Sequence, residues 1–322
     1  MPRPFAAILV ALTLLSIAAS PARANPQLAL IPGARANMEV LDTRRVRGKA
    51  FTYDHAVTIA LPASYRVQPD KSYPVLWVLD DPLLTRTAIG LVDLLVGGNS
   101  IPEMIVIGVG SPAEEGLAGV GKRVVEFSPG SGGFGAPGLG GEIFAEIAPM
   151  PDYPHRADAF LGFLVDELRP ALAKQYRFSG EHVLHGHSLG AMFGAYSLFA
   201  RPGAFTKMIL GSPAMANVDG AVFKAEAAFA QQHRALPVSL YIGAGGGEPD
   251  EWFLSVFGIV SATAKFVETL HMRRYEGLTL ESEFYTGEDH YTVAPRVMVD
   301  GLRHLYRQEA AKLGSSWPQP PK

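Results

Sequence analysis

The pentapeptide Gly186-His187-Ser188-Leu189-Gly190 constrains this chain more than any other stretch. It follows the short apolar run Val183-Leu184. It precedes Ala191-Met192-Phe193-Gly194-Ala195-Tyr196-Ser197-Leu198-Phe199, which reads as a helix. A serine with glycines two residues to either side, between strand and helix, marks a tight turn that lifts the serine hydroxyl to its apex. Glycines let such a turn close where a side chain would collide. Five residues are a short pattern, and its force comes from the strand–helix setting.

Other apolar runs supply a sheet. Ala56 to Pro62 reads as an early strand. Tyr73-Pro74-Val75-Leu76-Trp77-Val78-Leu79-Asp80 is a stronger one, since an uninterrupted apolar run suits a strand buried on both faces. Ile101 to Gly110 contains the run from Met104 to Val109, a third such strand. Lys207 to Gly211, Val238 to Gly243 and Ser282 to Tyr285 follow. Phe160, Phe163, Leu164, Leu168 and Leu172 recur at helical spacing, which predicts an amphipathic helix over Ala157 to Tyr176. Trp252 to His271 reads as a long helix and Val293 to Ala311 as a closing one. Strands alternating with helices predict an α/β fold: a mostly parallel central sheet with helices on both faces, in a single domain over residues 25–322. Catalytic groups then belong on loops at the carboxyl ends of the strands. Residues 111–154 read as an irregular Gly- and Pro-rich insertion, with Gly130, Gly132, Gly133, Gly135, Gly138, Gly140 and Gly141 crowded together. A segment of this length is a functional loop or a disordered one. The expectation is a partly ordered loop overhanging the site, with a plain solvent loop as the alternative for its glycine core. The tail from Trp317 is Pro-rich.

The bulk numbers exclude several classes. Of 322 residues, 48% are hydrophobic and 18% charged, so a buried core is expected. The net charge of −3 and the lack of a basic cluster argue against a nucleic-acid partner. Arg3, the apolar stretch Phe5 to Ala19 and the A-x-A site Ala22-Arg23-Ala24 read as a signal peptide over residues 1–24. An uncleaved membrane anchor is the alternative. Cleavage before Asn25 removes Arg3 and Arg23 and no acid, taking the charge from −3 to −5. No second apolar stretch long enough to span a bilayer is expected, so the mature chain is predicted to be periplasmic or secreted. Cysteine is absent, which excludes disulfides and thiol catalysis.

A serine hydroxyl needs an adjacent base, most often a histidine oriented by a carboxylate. In chains with this turn the order is serine, acid, histidine. His55 and His155 lie upstream of Ser188, and His182, His185, His233, His271 and His304 fall in or beside expected strands and helices. His290, in the polar loop Thr286-Gly287-Glu288-Asp289-His290-Tyr291 after the last strand, is the candidate base. Gly243 to Glu251 follows the penultimate strand and offers Glu248, Asp250 and Glu251 as the acid. Asp250 or Glu251 is expected to cap the following helix and Glu248 to orient His290; Asp289 is a rival. An oxyanion needs preorganised N–H donors. Leu189, at the start of the turn's helix, is one candidate. The other lies in Asp80-Asp81-Pro82-Leu83; Pro82 has no N–H, so Asp81 or Leu83 supplies it. Asp80 and Asp81 also suggest a metal site, but no third ligand is visible. This chemistry needs no cofactor.

These residues match a known family. The chain resembles the bacterial esterase D-like branch of the α/β-hydrolases, which includes enterobactin and salmochelin siderophore esterases, S-formylglutathione hydrolases, some feruloyl esterases and mycolyl transferases. The resemblance runs from about Ala56 to Tyr306. It is carried by Tyr73 to Asp80, Ile101 to Val106, Phe160 to Pro170, the Ser188 turn, Gly211-Ser212-Pro213 and Gly287-Glu288-Asp289-His290. It implies an α/β-hydrolase fold, Ser188 as nucleophile and His290 as base. The family acid often sits three residues after the glycine ending its strand, and Gly245 to Glu248 has that spacing. Arg123 looks like a family arginine that faces the substrate, with a plain surface arginine as the alternative. Three departures stand out. Asp81 replaces the usual glycine, Ala214-Met215-Ala216 stands where relatives often carry tryptophans, and Ala191 replaces a common second glycine.

The resemblance implies an exported serine carboxylic-ester hydrolase working through an acyl-enzyme on a small-molecule ester. A ferric tricatecholate siderophore is the first substrate expectation. The missing tryptophans and the absence of a basic cluster count against it, and a general acyl or feruloyl esterase is the alternative. A mycolyl-type acyltransferase needs a pocket that keeps water from the acyl-enzyme. A non-catalytic binding protein of this fold would be marked by loss of the serine or histidine, and both are present. Oligomeric state leaves no trace in the sequence.

Overall fold

The computed structural model describes residues 37–129, 157–215 and 220–316. The expected signal peptide, the glycine cluster from Gly130 to Gly141 and the tail from Trp317 lie outside the described residues. The strands are β1 (Glu39–Val40), β2 (Arg44–Val46), β3 (His55–Leu61), β4 (Tyr73–Asp81), β5 (Ile105–Gly110), β6 (Phe178–His187), β7 (Lys207–Gly211), β8 (Ala235–Gly245) and β9 (Glu276–Tyr285). The helices are α1 (Leu83–Gly97), α2 (Leu117–Phe127), α3 (Ala157–Gly162, extended by a π-helical turn Phe163–Leu168 into Arg169–Ala173), α4 (Leu189–Ala200), α5 (Ala221–Gln232), α6 (Trp252–Val256), α7 (Ile259–Arg273), α8 (Val293–Leu305) and α9 (Arg307–Leu313).

The strands form one sheet in the order β1-β3-β5-β4-β6-β7-β8-β9, with β2 also on β3. From β5 to β9 every pairing is parallel; β1, β2 and β3 enter antiparallel. The fold is therefore the α/β arrangement that the strand–helix alternation predicts.

Burial on both faces explains the unbroken apolar runs. In β4, Val75, Trp77 and Leu79 point into one core and Leu76 and Val78 into the other, as a period of two requires. In β7, Met208 and Leu210 face the first core and Ile209 the second. Helices α1 and α8 close the second face through Leu84, Ala88, Val92, Val297, Met298 and Leu302. The first is closed by α2, α3, α4, α5 and α7, with Phe127, Phe160, Phe193, Phe229 and Phe266 at its centre. Each such side chain withdrawn from water contributes about 1.5–3 kcal/mol. The layers thereby hold the strand ends, and the loops beyond them, in fixed relative positions.

Several expectations are corrected. The stretch 111–154 is not irregular throughout: Leu117–Phe127 is a helix whose Val124, Val125 and Phe127 are buried, although Gly119 and Gly121 lower its intrinsic propensity. The long helix expected over Trp252 to His271 is two helices, α6 and α7, broken at Gly258, which takes φ +54°. The closing helix is likewise divided at Tyr306, between α8 and α9. Strand β9 begins at Glu276, earlier than its apolar end suggests, because its outer positions are polar and exposed. By length and composition Trp252–Arg273 is apolar enough to cross a membrane, contrary to the expectation that nothing after the expected leader is. In the structure Ile259, Ala262, Phe266, Val267 and Leu270 of that stretch are buried in the core.

Candidate active site

Ser188 sits between the end of β6 and the start of α4 with φ +57° and ψ −117°. A non-glycine residue in such a region stores on the order of 1–3 kcal/mol of strain, so its surroundings must hold it there. They do so through the main chain. The Ser188 N–H donates to the Gly211 carbonyl at 2.8 Å, and its own carbonyl accepts from Met192 at 3.0 Å and Ala214 at 3.2 Å. The flanking glycines are not equivalent. A Cβ at Gly186 would lie 2.3 Å from the Gly190 carbonyl oxygen, a collision. A Cβ at Gly190 would only touch Asp80 and Leu79, both at 3.4 Å.

The neighbouring parallel strands β8 and β9 bring two more groups together. Their ends are in register, Gly245 beside Tyr285, so the loops beyond them meet. The Gly246 N–H donates to Tyr285 O at 2.8 Å and the Gly247 N–H to Glu288 O at 3.0 Å. Glu248 is thereby turned inward to 1% exposure, and its Oε1 lies 2.6 Å from Nδ1 of His290. Its Oε2 accepts from the Gly245 N–H at 3.2 Å. A carboxylate at this distance accepts a hydrogen bond from Nδ1–H and holds the tautomer that leaves Nε2 as the acceptor.

The competing acids are placed elsewhere. Asp250 and Glu251 are exposed. Glu251 occupies the N-cap position of α6 without a side-chain capping bond, so neither acid caps that helix by its side chain as a capping residue would. Asp289 Oδ1 accepts from the Tyr291 and Thr292 N–H groups, each at 2.8 Å, and closes the turn before α8. Those bonds hold its carboxyl below the usual range.

His187 has a part that its place inside the pentapeptide does not announce. Its Nε2 lies 2.8 Å from the main-chain carbonyl oxygen of His290, and the two rings are 4.6 Å apart. Burial, with the nearby His290 and His185, holds its pKa well below the ordinary value, so the ring is neutral. A carbonyl can only accept, so Nε2 carries the proton.

Asp80, at the end of β4, takes φ +68°, and the β4–β5 register shifts between Leu79 and Asp81. Arg123, from α2, meets it with two bonds: Nε to Oδ1, and Nη2 to Oδ2 at 3.0 Å. Asp80 is thus engaged as the acid of an ion pair. Asp81 is the last residue of β4, just beyond this irregularity, and Leu189 is the first residue of α4. Sequence reasoning had no signal for the Asp80–Arg123 pair, whose members lie 43 residues apart.

A cleft of about 940 Å³ opens over Ser188 and His290. Its walls are chiefly apolar, with Leu83, Val120, Ala214, Phe253, Phe257 and Ala294 among them, and Arg123 also borders it. Buried His185, in β6 two residues before His187, is pushed down to about 4 by burial.

Comparison with known proteins gives a consistent picture. Residues 146–293 match the family described as "Putative esterase". A ferri-bacillibactin esterase, BesA, of Bacillus subtilis (strain 168) is 24% identical over 160 residues, 49% of this chain and 54% of that protein. The chain thus matches about half the length of that relative. Among solved structures, the BES protein from Bacillus cereus superposes with a TM-score of 0.65 at 23% identity, covering 81% of this chain and 93% of the other. The siderophore hydrolase EstA from Aspergillus nidulans gives 0.70 at 21% identity, covering 86% and 96%. These likenesses show the fold.

Proposed function

We propose that this chain, whose residues 146–293 match that esterase family, is a serine carboxylic-ester hydrolase with Ser188, His290 and Glu248 as its triad. The observation that carries this reading is the 2.6 Å contact between buried Glu248 and His290 Nδ1 in a cleft that His290 shares with Ser188. In this mechanism the Ser188 hydroxyl attacks the ester carbonyl carbon while His290 Nε2 takes its proton. The N–H groups of Leu189 and Asp81 stabilise the tetrahedral oxyanion. Collapse expels the alcohol, which receives the proton from His290, and leaves an acyl-enzyme. Water then attacks the acyl carbon, gives a proton to His290, and the acid departs as Ser188 regains its hydrogen.

The likeness to a ferri-bacillibactin esterase and a siderophore hydrolase supports a siderophore ester as substrate, and the expected leader sequence supports export to the periplasm or beyond. A second reading, a general acyl or feruloyl esterase, is favoured by the apolar cleft wall and by the engagement of Arg123 with Asp80. The test is an ester panel with p-nitrophenyl butyrate and ferric enterobactin, using Ser188→Ala as control. Wild type should hydrolyse the neutral ester and Ser188→Ala should not; equal rates would remove the serine from the mechanism. Cleavage of ferric enterobactin, followed by mass spectrometry, separates the two substrate readings.

A further inference from the structure

We infer that Arg123 is a positioning residue of the oxyanion hole, acting through Asp80, and not a receptor for substrate. The inference rests on the serine-hydrolase reading above. Asp80 is a non-glycine residue with φ +68°, and an L side chain there is strained unless something holds it. The torsions of Asp80 set the plane of the peptide joining it to Asp81, hence the direction of the Asp81 N–H. A two-pronged guanidinium–carboxylate contact fixes distance and orientation together, as a single-point ammonium does not. The pair is largely withdrawn from solvent, with side-chain exposures of 26% for Arg123 and 13% for Asp80. It is thus better protected from screening than an exposed ion pair.

The clamp also touches the second arm of the site. Arg123 Nη2 lies 3.4 Å from the carbonyl oxygen of His187, the residue before the nucleophile. Asp80 Oδ2 lies so close to Gly190 that a Cβ there would be 3.4 Å from it. One ion pair therefore spans the end of β4, which carries Asp81, and the start of α4, which carries Leu189. These are the two segments that would supply the oxyanion donors.

The arginine is fixed from behind. Glu126, one turn further along α2, is 3% exposed. It accepts from Tyr53 Oη at 2.5 Å and is bonded to His55 Nε2 at 2.7 Å. This buried cluster pins α2 to β3 and the segment before it, so the guanidinium is presented from a braced helix.

The test uses the full chain with two p-nitrophenyl esters, the neutral butyrate and the anionic hemisuccinate, on Arg123→Lys, Arg123→Met and Asp80→Asn. Asparagine tolerates left-handed backbone as aspartate does, so Asp80→Asn removes the charge and keeps the local conformational preference. Loss of a whole oxyanion donor lowers kcat by about 10²–10³-fold, so loss of its alignment should lower kcat about 10- to 100-fold. That loss should appear on both esters, with KM changed less than about twofold, since only transition-state stabilisation is removed. Affinity for a boronic acid that mimics the tetrahedral oxyanion should fall in parallel. Combining Asp80→Asn with Arg123→Met should add little to either change alone. Thermal melting identifies any variant that has lost its fold; Arg123→Lys, which keeps the charge but not the fork, then carries the test. A rise in KM confined to the hemisuccinate, with Asp80→Asn unaffected, would make Arg123 a substrate receptor and overturn the inference. Unchanged kcat in folded Arg123 and Asp80 variants, with Ser188→Ala inactive, would overturn the clamp alone. Activity in Ser188→Ala would instead overturn the reading beneath it.

Discussion

His187 holds His290 by its main chain: the Nε2–H of one donates to the carbonyl oxygen of the other at 2.8 Å. The residue beside Ser188 thus fixes the backbone of His290, while Glu248 fixes its ring. Two bonds, one to its backbone and one to its ring, leave His290 little freedom to turn. Replacing His187 by phenylalanine keeps an aromatic ring and removes the donor. A hydrogen bond of this kind is worth about 1 kcal/mol net, so kcat on a neutral ester should fall about five- to tenfold. An unchanged kcat in a folded His187→Phe protein would deny the bond any part in catalysis.

Glu248→Gln should lower kcat far more than changes at the other acids. An amide in place of the carboxylate permits the wrong histidine tautomer, an effect of up to about 10⁴-fold in comparable triads. Asp250→Asn, Glu251→Gln and Asp289→Asn should each stay within a few-fold of wild type, because none of these carboxylates bonds the ring of His290. Steady-state kinetics on p-nitrophenyl butyrate decides it. A larger loss at Asp250 than at Glu248 would reassign the acid.

Gly186→Ala and Gly190→Ala should behave differently. The first places a methyl group 2.3 Å from a main-chain oxygen that cannot yield without moving the turn. Overpacking of this kind costs roughly 1–3 kcal/mol, visible as a lowered urea midpoint, and should abolish activity with it. The second meets only contacts at 3.4 Å and should change stability little. Equal stability losses would mean that the turn relaxes more readily than its packing implies.

The stability of the fold should decline with acid through its buried histidines. His185 has both ring nitrogens buried without a partner among the described residues, and burial pushes its pKa down from 6.5 to about 4. His182 is lowered to about 4 as well, by burial and then by the charge of Arg169. Below about pH 6.5 the unfolded chain takes up protons that the folded chain refuses until about pH 4. The stabilisation is therefore complete above the unfolded value and is lost as pH falls across that window. The slope contributed by one such histidine is about 1.4 kcal/mol per pH unit. His185→Leu should flatten the pH dependence of urea unfolding by about one proton and leave neutral-pH stability no lower. An unaltered slope would show that His185 does not titrate on unfolding.

Much of this architecture was legible because it rests on local pattern. The runs from Val75 to Leu79 and from Met104 to Val109 are apolar at every step, which suits a strand covered on both sides. The Ser188 turn announced itself by its glycines, and Glu248 and His290 by their place after the last two strands. The missed features depend on spacing in three dimensions. Helix α2 was hidden because Gly119 and Gly121 dilute its apolar face. The break at Gly258 looks, in one dimension, like any glycine inside a helix. The early part of β9 has the polar outer positions of an edge strand, and the closing helix gave no sign of its division at Tyr306. The bonds from His187 to His290 and from Arg123 to Asp80 join residues 103 and 43 positions apart, a separation that no periodicity reports.

The interruption at Gly258 divides labour within one stretch of chain. Ala262, Phe266, Val267 and Leu270 of Ile259–Arg273 are spent on the core, while Phe253 and Leu254 on the near side of the glycine face the cleft. Glu248, the proposed acid, stands just upstream, held by the register of β8 and β9. Taste and chemistry are therefore written in adjacent but separately anchored segments. A lineage that exchanged the aromatic residues of α6 could change its diet of esters while inheriting the cutting apparatus intact.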